Sequence, residues 1–363
     1  MSSEPRLPKP REGLSAFRAY RTQQQPADVR IQSNEWPEPN PVGRFLQPPD
    51  LDSILLNRYP DTAATRLREV LSDQWGVGPD QLMFGNGSNE ILLNTFLVFG
   101  GAGRTVLFFT PTYLMYARLG QILGMNVVAE RVGLPYELDA GRVRKAMPMY
   151  SPHLVCFCRP NNPSGNVIGE EAVLAAAEAS PETLVLVDEA YAEFAGGTML
   201  PRLRTHPNLV IAKTFSKVRG AAGLRLGVLI AHPKVIEIFD AVRLPYNVST
   251  LTQAVAARIA GDRAIVGERV ALITRERAKV EAGLRRHREL EVFPSVTNFV
   301  LFRQPGRSAA DLHAAILRHG VLVRDVSMWP GADECLRATI GTPVENERFL
   351  AAIAAARSAP VRA

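Results

Sequence analysis

The chain of 363 residues is 46% hydrophobic and 21% charged, with 42 Lys and Arg against 36 Asp and Glu and a formal net charge of +6. Its length suits roughly two domains, and its composition is that of an ordinary soluble globular protein. No apolar run approaches the ~20 residues that cross a bilayer, and the opening MSSEPRLPKPREG lacks the apolar segment of a secretory signal.

In chain order, residues 1–45 are rich in Pro, Arg and Gln and weakly periodic, and read as an extended arm. From there to residue 250 short apolar runs alternate with helical patterns. Strands are predicted at 81–85 (QLMFG), 105–109 (TVLFF), 126–130 (NVVAE), 153–158 (HLVCFC), 183–187 (TLVLV), 208–212 (NLVIA) and 226–230 (LGVLI). Most are too continuously apolar for half-exposed strands, so they belong to a largely parallel sheet covered on both faces by helices such as SNEILLNTFLVF and EEAVLAAAEA. After residue 250 the pattern changes: a long charge-laced amphipathic stretch (251–290), then TNFVLFR (297–303), ADLHAAILRHG (310–320), VLVRDV (321–326), CLRATIG (335–341) and an Ala-rich final helix. The expectation is an α/β protein: an arm (1–45), a large domain with a mostly parallel seven-stranded sheet (46–250) and a smaller α+β domain (251–363).

Cys156 and Cys158 share one face of a strand, and neither they nor Cys335 has the second Cys or His pair of a zinc pattern. They read as buried small hydrophobes of a reduced, cytoplasmic protein, with no metal. The longest basic run, Arg285–Arg288, ends a stretch carrying both signs of charge and reads as a solvated helix face, so no nucleic-acid partner is expected.

Ligands of open α/β sheets bind at the carboxyl ends of the strands, and five predicted strands end in chemistry: NGSNE, TPTYLMY, RPNNPSG, DEAY and KTFSK. The glycine turn and small polar residues of GNGSNE open a helix. They suit either a phosphate at that helix's N-terminus or simple capping by Ser88 or Asn89. Asp188 directly follows the predicted strand 183–187, with its apolar run Leu184–Val187, so its buried carboxylate needs a partner: an arginine, or a protonated heterocycle nitrogen. In the second case Asn162 and Tyr191 are placed to donate to a phenolate oxygen on the same heterocycle. Lys217, after an apolar strand and beside Ser216, precedes the small residues Gly220–Gly223 and then Arg225. A lysine desolvated near cations has a lowered pKa and forms Schiff bases, while Ser216 and Arg225 suit a phosphate. Together these groups point to pyridoxal 5'-phosphate.

The segments SKVRGAAGLRLG, DEAY and RPNNPSG resemble the signature segments of fold-type I aminotransferases of class I/II, and the resemblance is closest to the histidinol-phosphate aminotransferases. SNEWP (33–37), NRYPD (57–61), PTYLMY (111–116), TNFVLF (297–302) and the run from VLVRDV to CLRATIGT support it, in the family's order and over nearly the whole chain. The resemblance implies a homodimer with shared active sites, in which the arm packs on the small domain and the partner subunit. It implies that Lys217 is the Schiff-base lysine and proton shuttle, that Asp188 pairs with the pyridinium nitrogen, and that Asn162 and Tyr191 contact the phenolic oxygen. Tyr113 would stack on the ring. Ser88, Asn89, Thr214, Ser216 and Arg225 would surround the phosphate, with Tyr59 reaching it from the other subunit. Arg337 would take the acidic end of the substrate, with Arg324, Tyr20 and Asn34 nearby. Asn89 stands where the family often has aspartate. The implied reaction moves an amino group between glutamate and imidazole-acetol phosphate, a step of histidine biosynthesis. An aromatic keto-acid acceptor, or phosphothreonine decarboxylation on the same fold, are the alternatives. All need an anion site, so Arg337 does not separate them.

Overall fold

The structure, a computed structural model, describes Leu14, Phe17 and residues 25–357. Its strands are β1 (Val29–Arg30), β2 (Leu82–Asn86), β3 (Thr105–Thr110), β4 (Asn126–Arg131), β5 (Leu154–Cys158), β6 (Leu184–Asp188), β7 (Leu209–Thr214), β8 (Leu226–Ala231), β9 (Glu291–Val292), β10 (Phe299–Arg303), β11 (Val321–Leu322), β12 (Arg324–Asp325) and β13 (Cys335–Thr339). Seven of them form one sheet in the order β2-β8-β7-β6-β5-β3-β4. Within it β8 runs antiparallel to both neighbours, and the remaining pairs are parallel. All seven predicted strands are present within about two residues, as is the mostly parallel sheet.

Every residue of β5, β6, β7 and β8 is buried, which is why these segments lack apolar–polar alternation. Side chains still alternate between two cores. Val155, Phe157, Val185, Val187 and Ile211 face one that includes residues of the helices Thr65–Trp75, Ala140–Tyr150 and Glu170–Ala179. Leu154, Cys156, Cys158, Leu186 and Val210 face the other, formed with the helices Ser88–Phe99, Met115–Ile122 and Pro233–Asp240. Cys156 and Cys158 therefore share a face, and all three cysteines are buried and free. β4 departs furthest from this burial: it hydrogen-bonds only to β3 at the sheet edge, and none of its residues is buried.

Beyond residue 260 an antiparallel sheet, β12-β13-β10-β9, packs with the helices Ala264–Arg285, Ala309–Arg318 and Pro343–Arg357. The stretch 251–290 divides at Asp262. Thr250–Gly261 lies against Thr65–Trp75 in the core of the large sheet, while Ala264–Arg285 contributes Ile273, Val280 and Leu284 to the small sheet's core. The run 321–326 divides at Val323, because β11 pairs in parallel with β1 while β12 pairs with β13. Through β1 the start of the described chain is stitched to the C-terminal part, and it delivers residues 32–35 to the cleft between the two sheets.

Candidate active site

A cavity of about 360 Å³ opens at the carboxyl edge of the large sheet, closed on its other side by β12, β13 and the segment after β1. Ser88, Asn89, Tyr113, Asn162, Asp188, Tyr191, Thr214, Ser216, Lys217, Arg225, Asn34, Arg324 and Arg337 all line it. Of the remaining two predicted site residues, one does not and the other is not among the described residues. Tyr59 is 80% exposed and stacks on Tyr246, with ring centroids 4.4 Å apart, away from this cavity. Tyr20 lies outside the described residues. A larger cleft of about 680 Å³ lies at the opposite edge of the sheet, between the helices Ala140–Tyr150 and Glu170–Ala179, and gathers no comparable set of groups.

At one end of the cavity, Gly87 (φ 83°, ψ 162°) turns the chain from β2 into the helix Ser88–Phe99. No side chain caps this helix, so the capping role considered for Ser88 and Asn89 is not what the residues do. A Cβ on Gly87 would lie 2.3 Å from an Arg225 guanidinium nitrogen, and one on Gly227 would lie 2.5 Å from the Ser88 backbone nitrogen. The two glycines thus let Arg225 and the helix N-terminus close on one spot. Arg225, itself at φ 55°, donates to the Ala222 carbonyl (3.1 Å), and the Thr214 hydroxyl donates to Ser216 Oγ (3.0 Å). Backbone N–H groups, three hydroxyls and a guanidinium at a helix N-terminus form a cradle for a phosphate.

At the other end Asp188, the last residue of β6, is 4% exposed. Its Oδ1 accepts the Ala190 N–H (3.1 Å) and its Oδ2 accepts the Tyr116 hydroxyl (3.0 Å). Burial raises its pKa to about 6, against the lowering effect of those two bonds and of Lys217. Lys217 Nζ donates to the carbonyls of Ser33 (3.2 Å) and Asn34 (3.1 Å). Burial, and then the positive charge of Arg337, lower its pKa to about 8. Asn34, at φ 54°, donates from Nδ2 to the Tyr191 hydroxyl (2.9 Å), and burial pushes the Tyr191 phenol well up. Behind the site the buried Lys213–Glu189 pair (2.7 Å) ties the residue after Asp188 to β7. Glu189 is further held by the Thr198 hydroxyl and the Met199 N–H, each at 2.6 Å.

Arg337 is buried, its guanidinium 5.3 Å from the Phe299 ring centroid and 5.9 Å from that of Trp329. It donates to Asn162 Oδ1 (2.5 Å) and to the Gln32 carbonyl (2.9 Å). Arg324 is its direct cross-strand neighbour. Like charges directly opposite on a sheet repel, so two arginines paired at the wall of a cavity suit a bound anion.

Sequence reasoning missed Gln32, Glu35 and Trp329 on the cavity wall and Tyr116 beneath it. Glu35 sat inside the noted SNEWP segment, and Tyr116 at the end of PTYLMY. Trp36, by contrast, packs over Arg269 (4.6 Å) and does not line the cavity.

The donor set fits pyridoxal 5'-phosphate: a cradle for its phosphate, a buried acid opposite, and between them a lysine of lowered pKa. The sequence pattern of the family described as aminotransferase class I and II matches residues 40–353. A histidinol-phosphate aminotransferase of Caldanaerobacter subterraneus is 34% identical over 344 residues, 94% of this chain and 97% of its own. Another, of Thermobifida fusca, is 42% identical over 311 residues, 83% of this chain and 82% of its own. The crystal structure of a histidinol-phosphate aminotransferase from Sinorhizobium meliloti in complex with pyridoxal-5'-phosphate superposes with a TM-score of 0.86 at 24% identity, covering 98% of this chain and all of that one. A fold-type I α/β architecture, an aminotransferase sequence pattern across most of the chain and relatives matched nearly end to end agree: this chain belongs to the class I and II aminotransferase family.

Proposed function

We propose that the protein is a pyridoxal-phosphate-dependent aminotransferase of histidine biosynthesis, moving an amino group between glutamate and imidazole-acetol phosphate. The observation that carries this reading is the convergence of Lys217, Asp188 and the Arg225 cradle in one cavity, on a chain whose full-length relatives are named for histidinol phosphate.

Bound here, pyridoxal 5'-phosphate supplies a carbonyl that captures an amino group and an electron sink that stabilises charge at the adjacent carbon. The chain's own residues do the rest. Ser88, Asn89, Thr214, Ser216 and Arg225 hold the phosphate end. Asp188 offers the ring nitrogen a carboxylate in a dry site, where an ion pair is stronger than in water. With Oδ1 of Asn162 held by Arg337, its amide N–H groups are free to meet the phenolic oxygen, next to Tyr191. Tyr113 donates to Asn89 Oδ1 (3.2 Å), which sets its ring at the cavity mouth as a stacking face. Lys217 Nζ, with its lowered pKa, is the base placed to take the α-proton of the donor and give it back. Arg337 and Arg324 receive the substrate's anionic groups. A guanidinium accepts carboxylate and phosphate alike, which lets one clamp serve glutamate and a phosphorylated partner in turn.

Residues 1–45 serve as an arm, 46–250 as the cofactor domain with the helix Thr250–Gly261 packed into its core, and the rest of 251–363 as the small domain. The exposed apolar residues Leu55, Leu56, Tyr59, Leu244 and Leu251 supply a surface for a second copy, and the Tyr59–Tyr246 stack presents Tyr59 outward to the partner's phosphate. Three buried free cysteines suit a cytoplasmic setting. Among the described residues no helix is long and apolar enough to cross a membrane.

The test is a glutamate-coupled half-reaction screen of the purified protein against histidinol phosphate, phenylalanine and phosphothreonine. Preferred turnover of histidinol phosphate, lost in Lys217→Ala, supports the proposal. Preference for phenylalanine, or release of carbon dioxide from phosphothreonine, replaces it with the corresponding alternative.

A further inference from the structure

The helix Met115–Ile122 carries no group that touches the cavity, yet it inserts a phenol directly beneath it. Tyr116 is fully buried, packed against Phe108, and its hydroxyl donates to Asp188 Oδ2 at 3.0 Å. Its ring also meets that of Tyr113 edge-on, with centroids 5.8 Å apart and planes at 86°. We propose that Tyr116 is a positioning residue for the reaction, fixing with one side chain both groups that flank the cofactor ring: the Asp188 carboxylate at its nitrogen and the Tyr113 ring on its face. The inference rests on reading the cavity as a pyridoxal-phosphate site.

The Ala190 N–H that holds Asp188 Oδ1 belongs to the carboxylate's own turn, and a single local bond leaves the carboxylate plane free to rock. The second bond comes from a different helix, so the two donors fix the plane. An ionised carboxylate has about four lone-pair sites, and two remain for a protonated ring nitrogen. The neighbouring Cys158 thiol donates to the Pro160 carbonyl at 3.4 Å and lies within reach of the Tyr116 hydroxyl. Packing alone does not account for the hydroxyl. A phenylalanine would fill the same space beside Phe108, without a buried O–H that must find a partner.

The three-residue spacing gives the coupling. Tyr113 stands just before the helix and Tyr116 in its first turn, so the stacking face and the carboxylate's donor are fixed by one local backbone. A shift of that turn moves both.

The test compares cofactor binding by full-length wild type, Tyr116→Phe and Tyr116→Leu, each stripped of cofactor. Dissociation constants are measured for pyridoxal 5'-phosphate and for its deaza analogue, in which C–H replaces the ring nitrogen, alongside thermal unfolding of each protein without cofactor. The wild type should prefer the natural cofactor over the analogue. Tyr116→Phe should weaken the natural cofactor about 10- to 100-fold, the scale of a hydrogen bond to a charged group, while changing the analogue by less than about 3-fold. Tyr116→Leu, which also loses the Tyr113 contact, should weaken both. Equal weakening of both ligands in Tyr116→Phe, no weakening of either, or failure of that variant to fold would each overturn the proposal by leaving the hydroxyl a purely structural or an idle group. A wild type that does not distinguish the two ligands would overturn the pairing of Asp188 with the ring nitrogen, and the proposal with it.

Discussion

Gly87→Ala tests the phosphate cradle without touching any polar group of the site. The new Cβ would lie 2.3 Å from one Arg225 guanidinium nitrogen and 2.9 Å from the guanidinium carbon. It meets the far end of a flexible side chain, so Arg225 is displaced and the fold is kept. Two costs follow, and they separate. The first is conformational: φ 83° with ψ 162° is a region held almost only by glycine, and an alanine there costs about 1–3 kcal/mol of stability, with or without cofactor. The second appears only with cofactor. Losing charge-assisted hydrogen bonds from Arg225 to a phosphate costs about 1.5–3 kcal/mol, or roughly 10- to 150-fold in affinity. The assay is thermal unfolding with and without pyridoxal 5'-phosphate, plus direct titration of the stripped protein. A concentration equal to 100 dissociation constants stabilises by about 2.7 kcal/mol, so a 100-fold weaker site loses most of that increment. Gly227→Ala is the contrasting variant, because its Cβ would meet the backbone of Gly87 and Ser88 at 2.5 Å and should strain the β2–β8 ladder itself. Wild-type cofactor affinity in Gly87→Ala would refute the cradle. So would a loss of stability identical with and without cofactor.

Lys217, lowered from 10.5 to about 8, should capture the cofactor as a neutral amine, so the capture rate of the stripped protein should rise with pH through a midpoint of about 8. Arg337→Met should move that midpoint to higher pH by removing the guanidinium's repulsion, as stopped-flow absorbance would show. Asp188 is raised from 3.8 to about 6, so the stripped native protein binds its proton more tightly than the unfolded chain does. Stability without cofactor should therefore fall as pH rises from about 4 to 6, and Asp188→Asn should melt higher than wild type above that window while losing cofactor affinity. Glu189→Gln, which leaves the buried Lys213 ammonium without its partner, should cost about 3–5 kcal/mol in denaturant unfolding, while Glu189→Leu with Lys213→Met should recover most of it. Mixing Tyr59→Phe with Arg225→Ala protein should restore a fraction of active sites if each site is shared between subunits. Well-mixed heterodimers with no recovery would show that each chain builds its site alone.

The large sheet was legible because burial on both faces removes polar residues from β5 to β8, and strand ends in such a sheet meet at one edge. That single rule brings Ser88, Asn162, Asp188 and Lys217 to one edge from the sequence alone. The missed parts depend on partners distant in the chain. β1 is two residues long and exists because Val29 and Arg30 pair with Val321 and Leu322, and no local pattern announces such a strand. β4 looked like its neighbours in sequence, and its exposure follows only from its place at the edge. Trp329 reached the cavity on a loop after β12, where periodicity says nothing.

Tyr116 shows where this limit becomes functional. PTYLMY carries two tyrosines three residues apart, and helical spacing alone puts them on one face. It takes the packing of that helix on β3 and the depth of Asp188 to turn the second phenol into a hydrogen-bond donor. The groups that touch a cofactor are constrained by its chemistry and surface as residue types in the sequence. The groups that aim them answer to the geometry of the fold, and they emerge only when buried donors and acceptors are matched one by one.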